Sequence, residues 1–148
     1  MTPPKLLPPH YFALAVIVMV ALGVVDTTSL LPGSWYLIGI IPIGLGAGLA
    51  LWGSKLFAKA GTNIIPFTES TALVTSGAFS FSRNPMYLGM NLALIGLALL
   101  LNAAVPWLVV VGFALLLRIK FVRVEEQLME ATFGEEYLSY KARVRRWV

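Results

Sequence analysis

The chain has 148 residues, 58% of them hydrophobic and only 12% charged, with a net charge of +4. A soluble domain carries roughly a quarter of its residues as charge, so this balance suits lipid better than water as solvent. The absence of cysteine excludes disulfides, thiol nucleophiles and cysteine metal ligands, and the single histidine, His10, leaves little from which to build a metal site. The basic pI of ≈ 9.6 and mean hydropathy of +0.82 fit a membrane protein with cationic edges better than a nucleic-acid binder.

Taken in chain order, a proline-rich opening over residues 3–9 leads into an apolar stretch at 11–25. It falls short of the usual ~20 residues, so a span over 10–27 must borrow from Leu6 and Leu7 or from residues 27–31. It lacks a small-residue cleavage site, which favours a span over a secretory signal. The second span is predicted at 35–57 and carries Gly39, Gly44, Gly46 and Gly48. Gly44 and Gly48, four apart, read as a close-packing face between helices. After a hydrophilic loop at 58–84, residues 86–101 and 105–117 are again apolar, parted by Asn102-Ala103-Ala104. As one helix, residues 86–117 would measure about 48 Å, against a hydrocarbon core of about 30 Å. Asn102 and Pro106 therefore mark a helical hairpin, with spans at 85–101 and 105–122.

Beyond the fourth span, Arg118, Phe121, Val122, Glu125, Glu126 and Met129 keep helical spacing. Gly134 after Phe133 provides a C-cap, and Glu135-Glu136 suit the start of a further short helix. The tail at 123–148 ends in Lys141, Arg143, Arg145, Arg146 and Trp147, basic and aromatic enough to lie along an anionic membrane surface. The expected architecture is a single all-α, polytopic domain of about four spans. Lys5, Lys55, Lys59, Arg83 and the seven cations from Arg118 onward fall before the first span, in the long loop or after the fourth. The connections at 26–34 and 102–104 hold no Lys or Arg, so the positive-inside rule puts both termini and the long loop in the cytoplasm.

Candidate chemistry gathers where the loop at 61–82 meets the third span. Asn84 before Pro85 reads as an N-cap followed by proline at the first helical position. Arg83 at this positive helix end is either a snorkelling anchor or a ligand for a carboxylate or phosphate. Asn84, Tyr87 and Asn91 share one helix face. Asn91 is the clearest polar residue within that span, serving an inter-helix hydrogen bond or, with Arg118, a substrate. Glu125 and Glu126 point roughly 100° apart on their helix, so only one enters a shared site. Guanidinium and carboxylate together suit a zwitterion such as the amino-acid end of a metabolite; the bland reading is a salt-bridge network with Arg118 and Arg123.

The stretch from Leu73 to Gly89, with Arg83-Asn84-Pro85-Met86-Tyr87-Leu88-Gly89 at its end, resembles the heart of the isoprenylcysteine carboxyl methyltransferase family and of related phospholipid N-methyltransferases. An apolar hairpin, Glu125-Glu126 and Phe133-Gly134-Glu135-Glu136-Tyr137 follow in the family's order, and the resemblance extends from Gly61 to Trp147. It implies S-adenosylmethionine as methyl donor at the cytosolic mouth of a helical bundle and a lipophilic acceptor entering from the bilayer. The cofactor pocket it implies is formed by Arg83, Asn84, Tyr87, Gly89 and Glu125 or Glu126, with Gly61 and Thr62 alongside. Asn84 stands where the family commonly has His, which removes or alters any role of that ring. The chain is shorter at its N-terminus than eukaryotic members, which puts prenylcysteine recognition in question. The acceptor group implied is the carboxyl of an isoprenylcysteine-like membrane substrate, with a phospholipid amine as the alternative. A small four-helix transporter or a non-catalytic membrane subunit is the rival of another class. Transport is disfavoured because Asp26, near an outer end, is the only acid in the spans.

Overall fold

The computed structural model describes residues 5–63, 65–67 and 70–148; residues 1–4 of the proline-rich opening and Ile64, Thr68 and Glu69 of the long loop lie outside the described residues. Every regular element among the described residues is helical. Helix α1 spans Pro8–Val25, opening on two prolines at the positions where a missing N–H is harmless. Its 18 residues extend about 27 Å, so the extra length comes from the Pro8–His10 end and not from residues 27–31. A short 3₁₀ turn, Trp35–Gly39, feeds α2 (Ile40–Lys59). Helices α3 (Pro85–Leu101) and α4 (Pro106–Leu117) form the expected hairpin. Asn102 ends α3 in the left-handed conformation (φ 51°), and Pro106 starts α4. Helix α4 passes through one π turn, Arg118–Val122, into α5 (Arg123–Arg143), which breaks at Gly134 (φ 50°, ψ −125°).

Two of these helices, Pro8–Val25 and the run Trp35–Lys59, are long and apolar enough to cross a bilayer. Helix α3 has 17 residues and α4 has 12 before its π turn. Leu14, Ile17, Val24, Ile41, Leu45, Leu51, Leu108 and Val111 all face outward and exposed. Water does not tolerate so much continuous apolar surface, whereas hydrocarbon does.

Helix α3 is the axis of the bundle: α2 lies along one side, and α1 and α4 along the other. Ala15 and Met19 of α1, Tyr87, Leu94 and Ala98 of α3, and Val110, Phe113 and Leu117 of α4 form the core, continued by Phe121 and Val122 of the π turn. The α2–α3 contact is made backbone to backbone. A Cβ on Gly39 would sit 2.3 Å from the Gly96 carbonyl oxygen, and one on Gly46 would sit 2.4 Å from that of Gly89. Gly53 continues the same line onto Met86. Glycines two turns apart on antiparallel helices thus let the axes approach where any side chain would hold them apart. The Gly44–Gly48 pair expected to do this has nothing within 4 Å of either position. Gly44 and Gly46 point about 200° apart, so only one of the two can face α3.

One end of the bundle is closed by side chains that cap the opposite connection. Asn102 accepts from the Leu31 N–H at 2.7 Å and donates to Ser29 Oγ and the Leu31 carbonyl, each at 3.0 Å. Asp26 Oδ2 accepts from the Val105 N–H at 2.8 Å, and Thr28 Oγ1 from that of Ala104 at 2.9 Å. These bonds join the two cation-free connections at one end and leave the other end for the polar site. The glycine seam gives a direct comparison. Gly46→Ala should destabilise the protein by about 1–3 kcal/mol through overpacking against α3, while Gly44→Ala, facing open space, should not destabilise it. Reversible unfolding of the two variants in detergent micelles measures the difference.

Candidate functional site

At the end of the bundle away from the Asn102 clamp, the loop after α2, the first turn of α3 and the start of α5 enclose a pocket. It contains about 860 Å³ of space free of protein atoms, its open mouth included. Its polar wall holds Arg83, Asn84, Tyr87, Glu125 and Glu126; its apolar wall includes Phe57, Phe67, Phe79, Met86, Met129, Tyr137 and Tyr140. The loop is cinched at its neck. The Thr71 N–H donates to Thr62 Oγ1 at 3.1 Å, and the Thr71 hydroxyl donates to the Gly61 carbonyl at 3.2 Å. Gly61 has φ +65°, a conformation glycine adopts without strain. Gly61 and Thr62 therefore shape the loop from outside the lining, and their neighbour Asn63 reaches the pocket.

Arg83 is the centre of the polar wall. Its side chain is 8% exposed, and its Nη2 lies 3.0 Å from Glu126 Oε1. Its Nε and Nη1 are buried with no hydrogen-bond partner among the described residues. A guanidinium presents five donors in a rigid fork, and burying them unanswered is expensive. Arg83 is thus not a headgroup anchor reaching for the interface, because its charged end is enclosed.

The two acids differ sharply. Glu126 is fully engaged: Arg146 Nε and Nη2 donate to its two oxygens at 2.9 and 2.7 Å, and Arg83 shares Oε1. Burial opposes its ionisation, but the Arg146 hydrogen bonds and the charges of Arg83, Arg146 and Lys141 hold it below the usual carboxylate range. Glu125 faces the pocket and accepts one hydrogen bond, from the Tyr87 hydroxyl at 2.6 Å. Part of its surface is accessible from the cavity, yet the carboxyl is ringed by protein. Burial pushes it up to about 7, the Tyr87 bond pulls it down, and the Glu126 charge adds to the rise. Among the described residues neither acid pairs with Arg118 or Arg123: Glu126 pairs with Arg83 and Arg146, and Glu125 with the Tyr87 hydroxyl.

The remaining expected residues are placed as follows. Asn84 occupies the N-cap position, but its side chain makes no cap bond; Nδ2 donates to the Arg146 carbonyl at 3.1 Å. Gly89 lies in the seam against Gly46, outside the pocket lining, because its missing side chain serves helix contact. Asn91 donates to the Tyr87 carbonyl of its own helix at 2.8 Å; among the described residues it makes no bond across helices, and its buried Oδ1 has no partner. Arg118 is exposed on the π turn and takes no part in the pocket wall.

Sequence reasoning missed Arg146 and the two tyrosines. The end of the tail is tied to the segment before α3: the Arg83 N–H donates to the Arg145 carbonyl at 3.0 Å, and Ser82 Oγ donates to that of Arg146 at 3.4 Å. The break at Gly134 turns the chain so that Tyr137 and Tyr140 reach the pocket, where the Tyr140 hydroxyl donates to the Phe79 carbonyl at 2.7 Å. The Gly134 signal was visible in sequence; the direction of the turn was not.

The sequence profile of the phospholipid methyltransferase family matches residues 34–136, which include Arg83, Asn84, Tyr87, Glu125 and Glu126 of the pocket wall, while Tyr137 and Tyr140 lie just beyond it. An uncharacterized protein of Haemophilus influenzae is 40% identical over 63 residues, covering 43% of this chain and 100% of that protein. The fold is similar to that of the eukaryotic intramembrane Ras methyltransferase, isoprenylcysteine carboxyl methyltransferase. The TM-score is 0.68 at 21% identity, over 95% of this chain and 49% of that one. The chain thus spans about half the length of the solved structure it matches.

Proposed function

The chain belongs to the phospholipid methyltransferase family, and from that premise we propose that it is a membrane methyltransferase using S-adenosylmethionine and a lipophilic acceptor. The observation that carries this reading is the pairing in one pocket of Arg83, whose Nε and Nη1 are buried and unanswered, with Glu125, whose carboxyl is bonded to Tyr87 and to no other of the described residues. That pairing matches the two charges of an amino-acid zwitterion. Arg83 is positioned to take the carboxylate in a planar, two-pronged hydrogen bond that pairs one of these open donors with the second N–H of Nη2, and Glu125 to take the ammonium. Glu126, already held by two guanidiniums, orients Arg83 and is not free for the ligand. The aromatic wall supplies faces on which a flat base can stack.

S-adenosylmethionine supplies a methyl group on a sulfonium, activated for in-line displacement by a nucleophile. The protein's share of such a reaction is chiefly positioning and exclusion of water. A carboxylate acceptor needs no deprotonation, whereas an amine or thiol calls for a base, and His10, the sole histidine, lies outside this pocket. This favours the carboxyl of an isoprenylcysteine-like or related membrane molecule as acceptor over a phospholipid amine. Four spans in a single domain, with the pocket at the cytosolic face, complete the reading; the cations flanking the pocket end and absent from the Asn102 end support that orientation. A cytosol-active reporter fused after Val148 should be active and one inserted near Ser29 inactive; the reverse pattern would contradict the orientation.

Binding of S-adenosylmethionine to the purified protein, followed by calorimetry, tests the site. Glu125→Gln should weaken it roughly 10- to 150-fold, the equivalent of one charge-assisted hydrogen bond. Arg83→Lys keeps the charge but loses the fork, and should bind several-fold more weakly while inserting normally. Wild-type affinity in both variants would return the pair to a purely structural role.

A further inference from the structure

The ion triad contains one more cation than its anion requires. Glu126 has two oxygens and lies between two guanidiniums. Arg146 grips both oxygens, Nε to Oε1 at 2.9 Å and Nη2 to Oε2 at 2.7 Å, leaving Arg83 a single shared contact through Nη2. A carboxylate beside one arginine ordinarily closes on it with two parallel bonds. Held by Arg146, Glu126 is kept from closing in that way. Resting on the zwitterion reading of the pocket, we infer that Arg146 is a positioning residue that keeps Arg83 open to its ligand. By occupying Glu126 it preserves Arg83 Nε and Nη1, and one net positive charge, for an incoming carboxylate.

This role belongs to the Arg146 side chain, not to the strap of backbone around it. The strap is held by the Arg145 and Arg146 carbonyls, which accept from the Arg83 N–H, Asn84 Nδ2 and Ser82 Oγ. Those bonds survive any side-chain substitution at 146. The Arg146 side chain is itself 29% exposed, so replacing it removes little packing, while the two groups it influences are each 8% exposed. Loss of Arg146 lets Glu126 neutralise Arg83, and the wall facing the ligand carboxylate falls from a net charge of +1 to zero.

The prediction is a rescue, which a merely structural role would not produce. Calorimetric titration of the full-length protein in detergent with S-adenosylmethionine should show Arg146→Gln binding roughly tenfold or more weakly than wild type. Adding Glu126→Gln to that variant removes the competing carboxylate and should return affinity to within about threefold of wild type. Arg146→Lys, a point charge without the fork, should fall between wild type and Arg146→Gln; if Arg146→Gln fails to fold, this variant decides, and wild-type affinity in it overturns the inference. Wild-type affinity in Arg146→Gln, or a double variant as weak as the single one, also overturns it. Absence of binding by the wild-type protein would instead overturn the zwitterion reading, and this inference with it.

Discussion

Burying Arg83 is the constraint around which this molecule is arranged. An enclosed guanidinium needs a counter-charge, and Glu126 supplies one from a different helix, so the ion pair fixes the start of α5 against the start of α3. The pair holds only if α3 and α5 keep their spacing. The α2–α3 seam sets α3 directly against α2, and the unbroken run from α4 through the π turn carries α5 to it. Phe121 and Val122 of that turn are fully buried, and Phe121 lies 6.4 Å from the Tyr87 ring. Packing of the apolar bundle therefore sets the geometry of the polar pocket directly.

The pocket separates two tasks that adjacent acids often share. Glu126 is committed to the arginines and stays ionised; Glu125 has, among the described residues, a single neutral donor and a site that resists charge. Two neighbours in sequence thus become a structural anion and a responsive one, divided by about 100° of helix rotation. The aromatic wall adds to the contrast by keeping the surroundings of Glu125 poor in competing donors.

Much of this was legible in the sequence where the signal is local. Proline at 106 and asparagine at 102 act through their own backbone angles, so the hairpin could be read directly. The unequal roles of Glu125 and Glu126 followed from helix geometry, though not which would be free. The glycine seam was misread because spacing by four drew notice to Gly44 and Gly48, whereas the contact follows Gly39, Gly46 and Gly53 on another face. Gly89, legible as a site residue by resemblance, belongs to that same seam. Arg146 was invisible for a different reason: its partner lies 20 residues away around the Gly134 turn, and no periodicity encodes the direction of such a turn.

The central claim is that Glu125 receives a cation, and its ionisation makes that claim measurable without any variant. With its carboxyl pushed up to about 7, Glu125 is protonated in about half the molecules at pH 7 and in most at pH 6. A bound ammonium favours the carboxylate, so binding must expel the proton, and affinity must rise with pH across this window. Calorimetric titration with S-adenosylmethionine in two buffers of different ionisation enthalpy counts that proton. The account predicts release of about half a proton at pH 7 and a larger fraction at pH 6. A binding enthalpy independent of buffer at both values would contradict it.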